Sequence, residues 1–337
     1  MQRSDYLLRK IGFAIATLLV VVIFNFFLFR ILPGDPVKLI IHSPRMTREA
    51  QERIRVTFGL DRPIWLDVEA LKTGDLPRVF DTQFTAYVRN LLHGDLGISF
   101  ATRRDVVDLL RERLWRTVVL IILGEVLAIF FGIALGMLAA WRRGSKLDTG
   151  ILLWGLFTWA MPTFFFGIIL ILLTRGILPV GGMSTPGLRP DDGWVFWKDV
   201  GRHLILPTLT LTLLYMSEYM LIMRSSVVEV LSEDYILTAK AKGLSTFDIF
   251  RRHALKNSML PMVTIIALTL GYTVGGAIQV ETVFSWPGIG RLMFEAVQKR
   301  DYPVLQGSFL LLAVSVILAN LLADLLYTFL DPRVKPD

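Results

Sequence analysis

The 337-residue sequence contains no cysteine, which excludes disulfides, thiolate metal ligands and a cysteine nucleophile. Histidine is nearly as scarce. His42, His93, His203 and His253 stand far apart, with no HExxH or comparable ligand spacing, so nothing points to a metal site. No lysine follows a glycine, so the GxxxxGK phosphate loop is absent, and neither a dinucleotide fingerprint nor a GxSxG elbow occurs. The chain therefore has no recognisable means of binding ATP. Charge is thin as well: 19% of residues, against about a quarter in soluble domains. The net charge of +7 is not gathered into the patch that a nucleic-acid binder needs.

What is abundant is apolar sequence, 53% of the chain. Ile11–Phe29, Thr149–Thr174, Asn257–Val280 and Tyr302–Ala323 hold no charge at all. Thr117–Trp141 holds only Glu125, and His203–Met223 holds only Glu218. A hydrocarbon core of about 30 Å takes roughly 20 apolar residues at 1.5 Å rise, and in lipid the backbone must bond to itself. The expectation is an all-α integral membrane protein with six transmembrane helices. The first run ends Arg30-Ile31-Leu32-Pro33 without a small-residue cleavage signal, so it reads as an uncleaved span.

Basic residues set the orientation. One set of loops carries Arg3, Arg9, Lys10, Arg142, Arg143, Lys146, Arg224, Lys240, Lys242, Arg251, Arg252, Lys256, Arg333 and Lys335. The other carries half as many: Arg175, Arg189, Lys198, Arg202, Arg291, Lys299 and Arg300. Both termini are expected to be cytoplasmic. The expected organisation is a cytoplasmic N-terminus and first span over 1–32, an external helical loop over 33–114, and a core over 115–337. Within the core, spans occupy 115–141, 149–174, 203–223, 258–280 and 304–330, with a cytoplasmic loop over 224–257 and an external loop over 281–303.

The external segment is patterned. Thr47 can cap a helix reaching Phe58, ended by Gly59 and Pro63. Phe84, Tyr87, Val88, Leu91 and Leu92 form a helical apolar stripe broken at His93-Gly94-Asp95, and Asp105–Leu114 reads as a helix leading into the second span. A small helical cap and a docking surface for an external partner are both compatible with this pattern. Glu125, Glu218, Asn320 and Asp324 sit in or near apolar runs. Each has a packing reading beside a functional one, and Glu218 is the preferred pathway candidate. Met216, Met220 and Met223 read as packing residues. Pro162, Pro207 and Pro261 are candidate kinks.

The loop between spans four and five carries the most organisation. Ser232 can cap a helix that has Glu233 and Asp234 at its positive end. Gly243 stands where a helix end needs a left-handed residue, at a cost of roughly 1 kcal/mol for any side chain. Ser245 and Asp248 make a near capping box for a second helix. Small Thr238, Ala239 and Ala241 leave the backbone approachable.

Tyr235-Ile236-Leu237-Thr238-Ala239-Lys240-Ala241-Lys242-Gly243-Leu244, followed by Arg252-His253-Ala254-Leu255-Lys256-Asn257, resembles the cytoplasmic EAA loop of bacterial ABC importer permeases, specifically the dipeptide/oligopeptide/nickel branch of first-permease type. Pro33-Gly34-Asp35-Pro36, Gly94-Asp95-Leu96-Gly97, Glu281-Thr282-Val283-Phe284-Ser285-Trp286-Pro287-Gly288-Ile289-Gly290, Asp301-Tyr302-Pro303 and Asp331-Pro332-Arg333 extend the resemblance over nearly the whole chain. Leu237 and Lys256 stand where the general EAA pattern has glutamate and proline.

The resemblance implies a type I ABC importer permease fold in the bacterial inner membrane. It also implies four kinds of partner: a second homologous permease in a heterodimer, two cytoplasmic ABC ATPase subunits, an external substrate-binding protein, and the lipid bilayer. No cofactor belongs to this chain, since ATP and magnesium would sit on the ATPase subunits. The helix pair at 233–257 would couple to an ATPase, with Asp234, Tyr235, Ala239, Lys240, Gly243 and Leu244 in the contact. Lys240, Lys242, Arg251 and Arg252 also suit anchoring to anionic lipid. Di- and oligopeptides head the substrate expectations, with nickel or metal chelates and oligosaccharides as alternatives. A self-contained carrier or channel would show inverted repeats or dense intramembrane charge, and a membrane enzyme would show convergent acid, base and nucleophile residues. Neither pattern is evident.

Overall fold

The computed structural model describes residues 3–31 and 61–330. The Pro33–Pro36 and Asp331–Arg333 motifs, the Thr47–Phe58 helix and the side chain of Asp324 lie outside the described residues. All regular elements described are helices: α1 (Arg3–Ile31), α2 (Val68–Thr73), α3 (Leu76–Val79), α4 (Gln83–Leu92), α5 (Val106–Trp141), α6 (Lys146–Ala160), α7 (Thr163–Leu173), α8 (Trp194–Leu231), α9 (Asp234–Ala241), α10 (Thr246–Ile249), α11 (Leu255–Val283), α12 (Ile289–Lys299) and α13 (Tyr302–Leu330). Among the described residues four helices are long and apolar enough to cross a membrane: Leu8–Arg30 of α1, α5, α8 and Tyr302–Leu322 of α13. The α6–α7 pair makes a fifth if it counts as one span.

The expected span over 149–174 is not straight. α6 and α7 meet at 107°. Pro162 lacks an amide proton and forces Met161 into an extended conformation at ψ 136°, so the helix cannot continue through the pair. Pro207 and Pro261 behave differently, since α8 and α11 run through them unbroken. α8 is also far longer than the expected 203–223. Its 38 residues span roughly 57 Å at 1.5 Å rise, well over the thickness of a 30 Å core.

The described chain divides into two compact units. The first holds residues 3–14, 114–291 and 315–330, and its core lies where α5, α6 and α11 meet α8. Small residues permit close approach there. A Cβ at Gly132 would stand 2.6 Å from the Tyr219 Cβ and 2.7 Å from the Met216 carbonyl oxygen, and one at Gly136 would stand 2.8 Å from the Met223 Cβ. Ala128 occupies the same stripe and is fully buried. Met216, Met220 and Met223 pack in this core, as the sequence suggests. The second unit holds residues 15–31, 61–113 and 292–314. There Phe26 of α1 is completely buried against Phe84 and Tyr87 of α4, with ring centroids at 5.2 and 5.4 Å. Phe84 and Tyr87 of the α4 stripe thus pack on α1, whereas Leu92 is exposed. Asp105 leads into α5, which continues without a break through the expected boundary at 114/115.

Candidate functional site

The 232–257 segment folds as a helical hairpin with one departure from expectation. Ser232 does not cap α9. Its hydroxyl donates to the Glu229 carbonyl at 2.6 Å and closes α8, so Glu233 begins α9 without a side-chain cap. The other signals hold. Gly243 has φ +78°, and the amide of Leu244 returns to the Ala239 carbonyl at 3.3 Å. The Ser245 hydroxyl accepts from the Asp248 amide at 3.1 Å, starting α10. A five-residue π turn at Phe250–Ala254 then leads into α11.

The hairpin closes on a small core of Ile236, Ala239 and Ile249. Ala239 therefore faces its own hairpin and is buried, whereas Asp234, Tyr235, Lys240, Gly243 and Leu244 are exposed. The six residues expected in one contact thus split into five on the surface and one beneath it. Leu237 is 68% exposed and Phe247 61%, which joins two large apolar side chains to Tyr235 and Leu244 on this surface. The sequence resemblance does not put Leu237 or Phe247 in the contact, although an apolar residue on the exposed face of a short polar helix is a signal for one. Lys240, Lys242 and Arg251 are exposed on the same segment.

The hairpin is fixed to the helices around it. The Asn257 amide donates to the Tyr235 hydroxyl at 2.7 Å. Trp141, at the end of α5, meets Phe250 edge-on with centroids 4.9 Å apart. Close by along α8, Arg224 forms a two-pronged ion pair with buried Asp148 at 2.6 and 2.8 Å. Asp148 also accepts from the Gly144 amide at 2.9 Å. Sequence reading counted Arg224 only as a topological charge, because its partner lies 76 residues away.

Within the spans, Glu218 is half-buried on α8. The more deeply placed carboxylate is Glu125, which accepts a hydrogen bond from the Tyr219 hydroxyl, and Thr269 also bonds that hydroxyl. Asn320 is exposed on α13. The Glu281–Gly290 motif makes a buried knot. The Glu281 carboxylate accepts from the Thr117 hydroxyl at 2.6 Å and the Arg291 amide at 3.0 Å, and Trp286 donates its indole N–H to the Arg116 carbonyl at 3.1 Å. A Cβ at Gly288 would fall on the Glu281 carboxylate, so glycine is required there for close approach. Asp301 plays a similar part in the second unit, accepting from the Ser99 hydroxyl at 2.5 Å and from the amides of Phe100 and Ala101 at 3.0 and 3.1 Å. Glu281 and Asp301 thus each accept hydrogen bonds at both carboxylate oxygens. The described residues contain no group of three or more metal-ligating acids and histidines.

Residues 132–336 match the family model described as the binding-protein-dependent transport system inner membrane component, and residues 3–121 match the N-terminal model of the corresponding membrane component. The chain is 36% identical, over 98% of both sequences, to the dipeptide transport system permease protein DppB of Escherichia coli strain K12. It is 38% identical to a probable peptide ABC transporter permease, y4tP, of Sinorhizobium fredii, over 98% of this chain and 99% of that one. It is 36% identical to the glutathione transport system permease protein GsiC of Escherichia coli, with the same coverage. Its fold is similar to that of a chain in the inward-facing MetNI methionine ABC transporter, with a TM-score of 0.52 at 16% identity over 66% of this chain and 96% of the other. The buried knots, the small-residue stripe and the hairpin are therefore parts of a membrane permease scaffold, and the chain belongs to the family of binding-protein-dependent transport system inner membrane components.

Proposed function

We propose that this chain is the permease subunit of an ATP-driven, binding-protein-dependent importer of di- and oligopeptides. In this reading it crosses the inner membrane six times at the segments read from the sequence, with both termini in the cytoplasm and residues 33–114 an external helical segment. It pairs with a second homologous permease, receives solute from an external binding protein, and carries no cofactor of its own. ATP and magnesium belong to two cytoplasmic ATPase subunits.

The observation that carries the reading is the hairpin surface. Tyr235, Leu237, Leu244 and Phe247 are large and exposed on a polar segment bearing Lys240 and Lys242. Apolar side chains gathered in this way on a segment outside the long apolar runs suit a protein partner. Ala239 acts beneath that surface by filling the hairpin core, and Gly243 sets the exposed turn. Peptide is the preferred solute because DppB and y4tP carry dipeptide and peptide in their names, and glutathione is itself a peptide.

The test is reconstitution of the complete transporter in proteoliposomes with its binding protein. ATP-dependent uptake of a labelled dipeptide is expected, with ATPase activity stimulated by the loaded binding protein. Uptake by this chain alone without ATPase subunits, or placement of the hairpin on the outer face by cysteine labelling, would overturn the reading.

A further inference from the structure

The first span ends on a charge for which the described residues supply no hydrogen-bond or ion-pair partner. Counted from Leu8, its 23 residues cover roughly 34 Å at 1.5 Å rise against a hydrocarbon layer of about 30 Å, which puts Arg30 at headgroup depth. The guanidinium lies over the Phe26 ring at 5.5 Å, and among the described residues no hydrogen bond or ion pair holds it. Arg30 lines a cleft of about 180 Å³ together with Gln83, Tyr87, Asn90, Asp95 and Gln306. One water needs only about 10–15 Å³ on the same measure, so the space admits a group of several heavy atoms.

The walls of this cleft are fixed. Asn25 donates to the Gln306 carbonyl at 3.0 Å, Gln83 donates to the Arg62 carbonyl at 2.7 Å, and Asp95 accepts from the Gly97 amide at 2.8 Å. The surroundings are those of a membrane interface. Trp65 packs between Phe27 and Phe84, with centroids at 5.3 and 4.5 Å, and Ile64, Leu66 and Leu92 are exposed on the same segment. Along α1, Val20 and Phe24 are exposed apolar side chains. Tryptophan packed near the end of a span is the pattern of residues that sit among headgroups.

We propose that this cleft binds a phospholipid headgroup, with the phosphate on Arg30 and the ammonium of an ethanolamine headgroup on Asp95. The guanidinium fork takes two phosphate oxygens in charge-assisted hydrogen bonds. The acyl chains lie along the Val20–Phe24 side of α1. A dipeptide carries the same pair of charges but no chains, and the exposed apolar flank is what favours lipid. The inference rests on the membrane placement of the chain and not on which solute is carried, so failure of either leaves the other standing.

The experiment is native mass spectrometry of the intact transporter complex in detergent with added phosphatidylethanolamine and phosphatidylglycerol. Wild type is expected to retain phosphatidylethanolamine in preference. Arg30→Gln should lower that retention about tenfold, Arg30→Lys should restore part of it, and Asp95→Asn should abolish the preference between the two lipids while binding persists. Equal retention by wild type and Arg30→Gln overturns the proposal. So does displacement of the lipid by glycylglycine that is itself retained. If Arg30→Gln fails to assemble, the Asp95→Asn complex decides, and an unchanged headgroup preference overturns the assignment.

Discussion

Gly243→Asp separates the hairpin's own stability from the partner contact proposed for it. The position has φ +78°, and a Cβ there meets nothing within 4 Å. The substitution therefore costs only backbone conformation within this chain. For an ordinary L residue the left-handed region costs about 1–2 kcal/mol, and less for aspartate, whose short side chain can bond locally. At about 1 kcal/mol, the ratio of ordered to frayed hairpin falls roughly fivefold. Any larger loss must come from a partner that now meets a carboxylate at the tip. The assay is ATP-dependent uptake and binding-protein-stimulated ATPase in proteoliposomes, normalised to the amount of permease in the membrane. Gly243→Ala is the companion variant, carrying the full backbone penalty without charge. Gly243→Asp is expected to lose more than about thirtyfold in uptake while inserting normally, and Gly243→Ala about five- to thirtyfold, the range that about 1–2 kcal/mol of backbone cost sets. Uptake by Gly243→Asp within twofold of wild type would refute the contact. An alanine variant as impaired as the aspartate would refute the division between backbone and partner.

Ala239→Asp should fail for a different reason. It buries an unpaired carboxylate between Ile236 and Ile249, so the hairpin opens and trypsin cleaves at Lys240 and Lys242, which it should not do in Gly243→Asp. Asp148→Asn and Arg224→Gln should each lower stability by about 2 kcal/mol in detergent melts, with the double variant losing less than the sum, because each single change strands a partly buried charge. Gly132→Leu should cost about 1–3 kcal/mol or prevent accumulation, since the Met216 carbonyl oxygen at 2.7 Å is backbone and cannot step aside. Gly201→Ala, with no atom within 4 Å, serves as the neutral comparison in the same melts. Glu281→Gln leaves either the Thr117 hydroxyl or the Arg291 amide without its acceptor, and should lower stability by about 1–3 kcal/mol in a chemical-denaturation series.

The helices and the hairpin turn were legible because they rest on local chemistry. Charge-free runs of span length, glycine at a left-handed position and serine three residues before aspartate each act within a few residues. The breaks in that legibility share a cause, since they depend on neighbours distant in sequence or on competition between adjacent helices. Ser232 has the same capping chemistry toward either side, and the end of α8 takes it. The Thr149–Thr174 run carries no charge to mark its bend, although Met161-Pro162 does mark it once proline's effect on the preceding residue is given full weight. Asp148 and Arg224, Glu281 and Thr117, and Asp301 and Ser99 are separated by 76, 164 and 202 residues. No periodicity reports such pairs, only the presence of a lone acid near the end of an apolar run. Small size at Ala239 marks both close approach and a tight core, and only the fold distinguishes the two.

The arrangement around the hairpin bears on how a push there would spread under the proposed coupling role. α9 follows directly from α8, and the π turn after α10 runs straight into α11. Trp141 against Phe250 adds the end of α5, and the Asp148–Arg224 pair adds the start of α6. A displacement of α9 and α10 is thus delivered to four helices through one apolar contact, one ion pair and two covalent continuities. The stripe of Gly132, Gly136 and Ala128 then keeps α5 against α8, because close-packed surfaces transmit strain where loosely packed ones absorb it. The Asp148–Arg224 pair is the weakest link of this set in physical terms, being the one made of side chains that water can reach at Arg224. It follows that Arg224→Gln should impair the coupling of ATPase to uptake more than its effect on melting would suggest, with ATP hydrolysed per peptide imported rising while folded protein is retained. An unchanged ratio in a variant of lowered stability would confine the pair to a packing role.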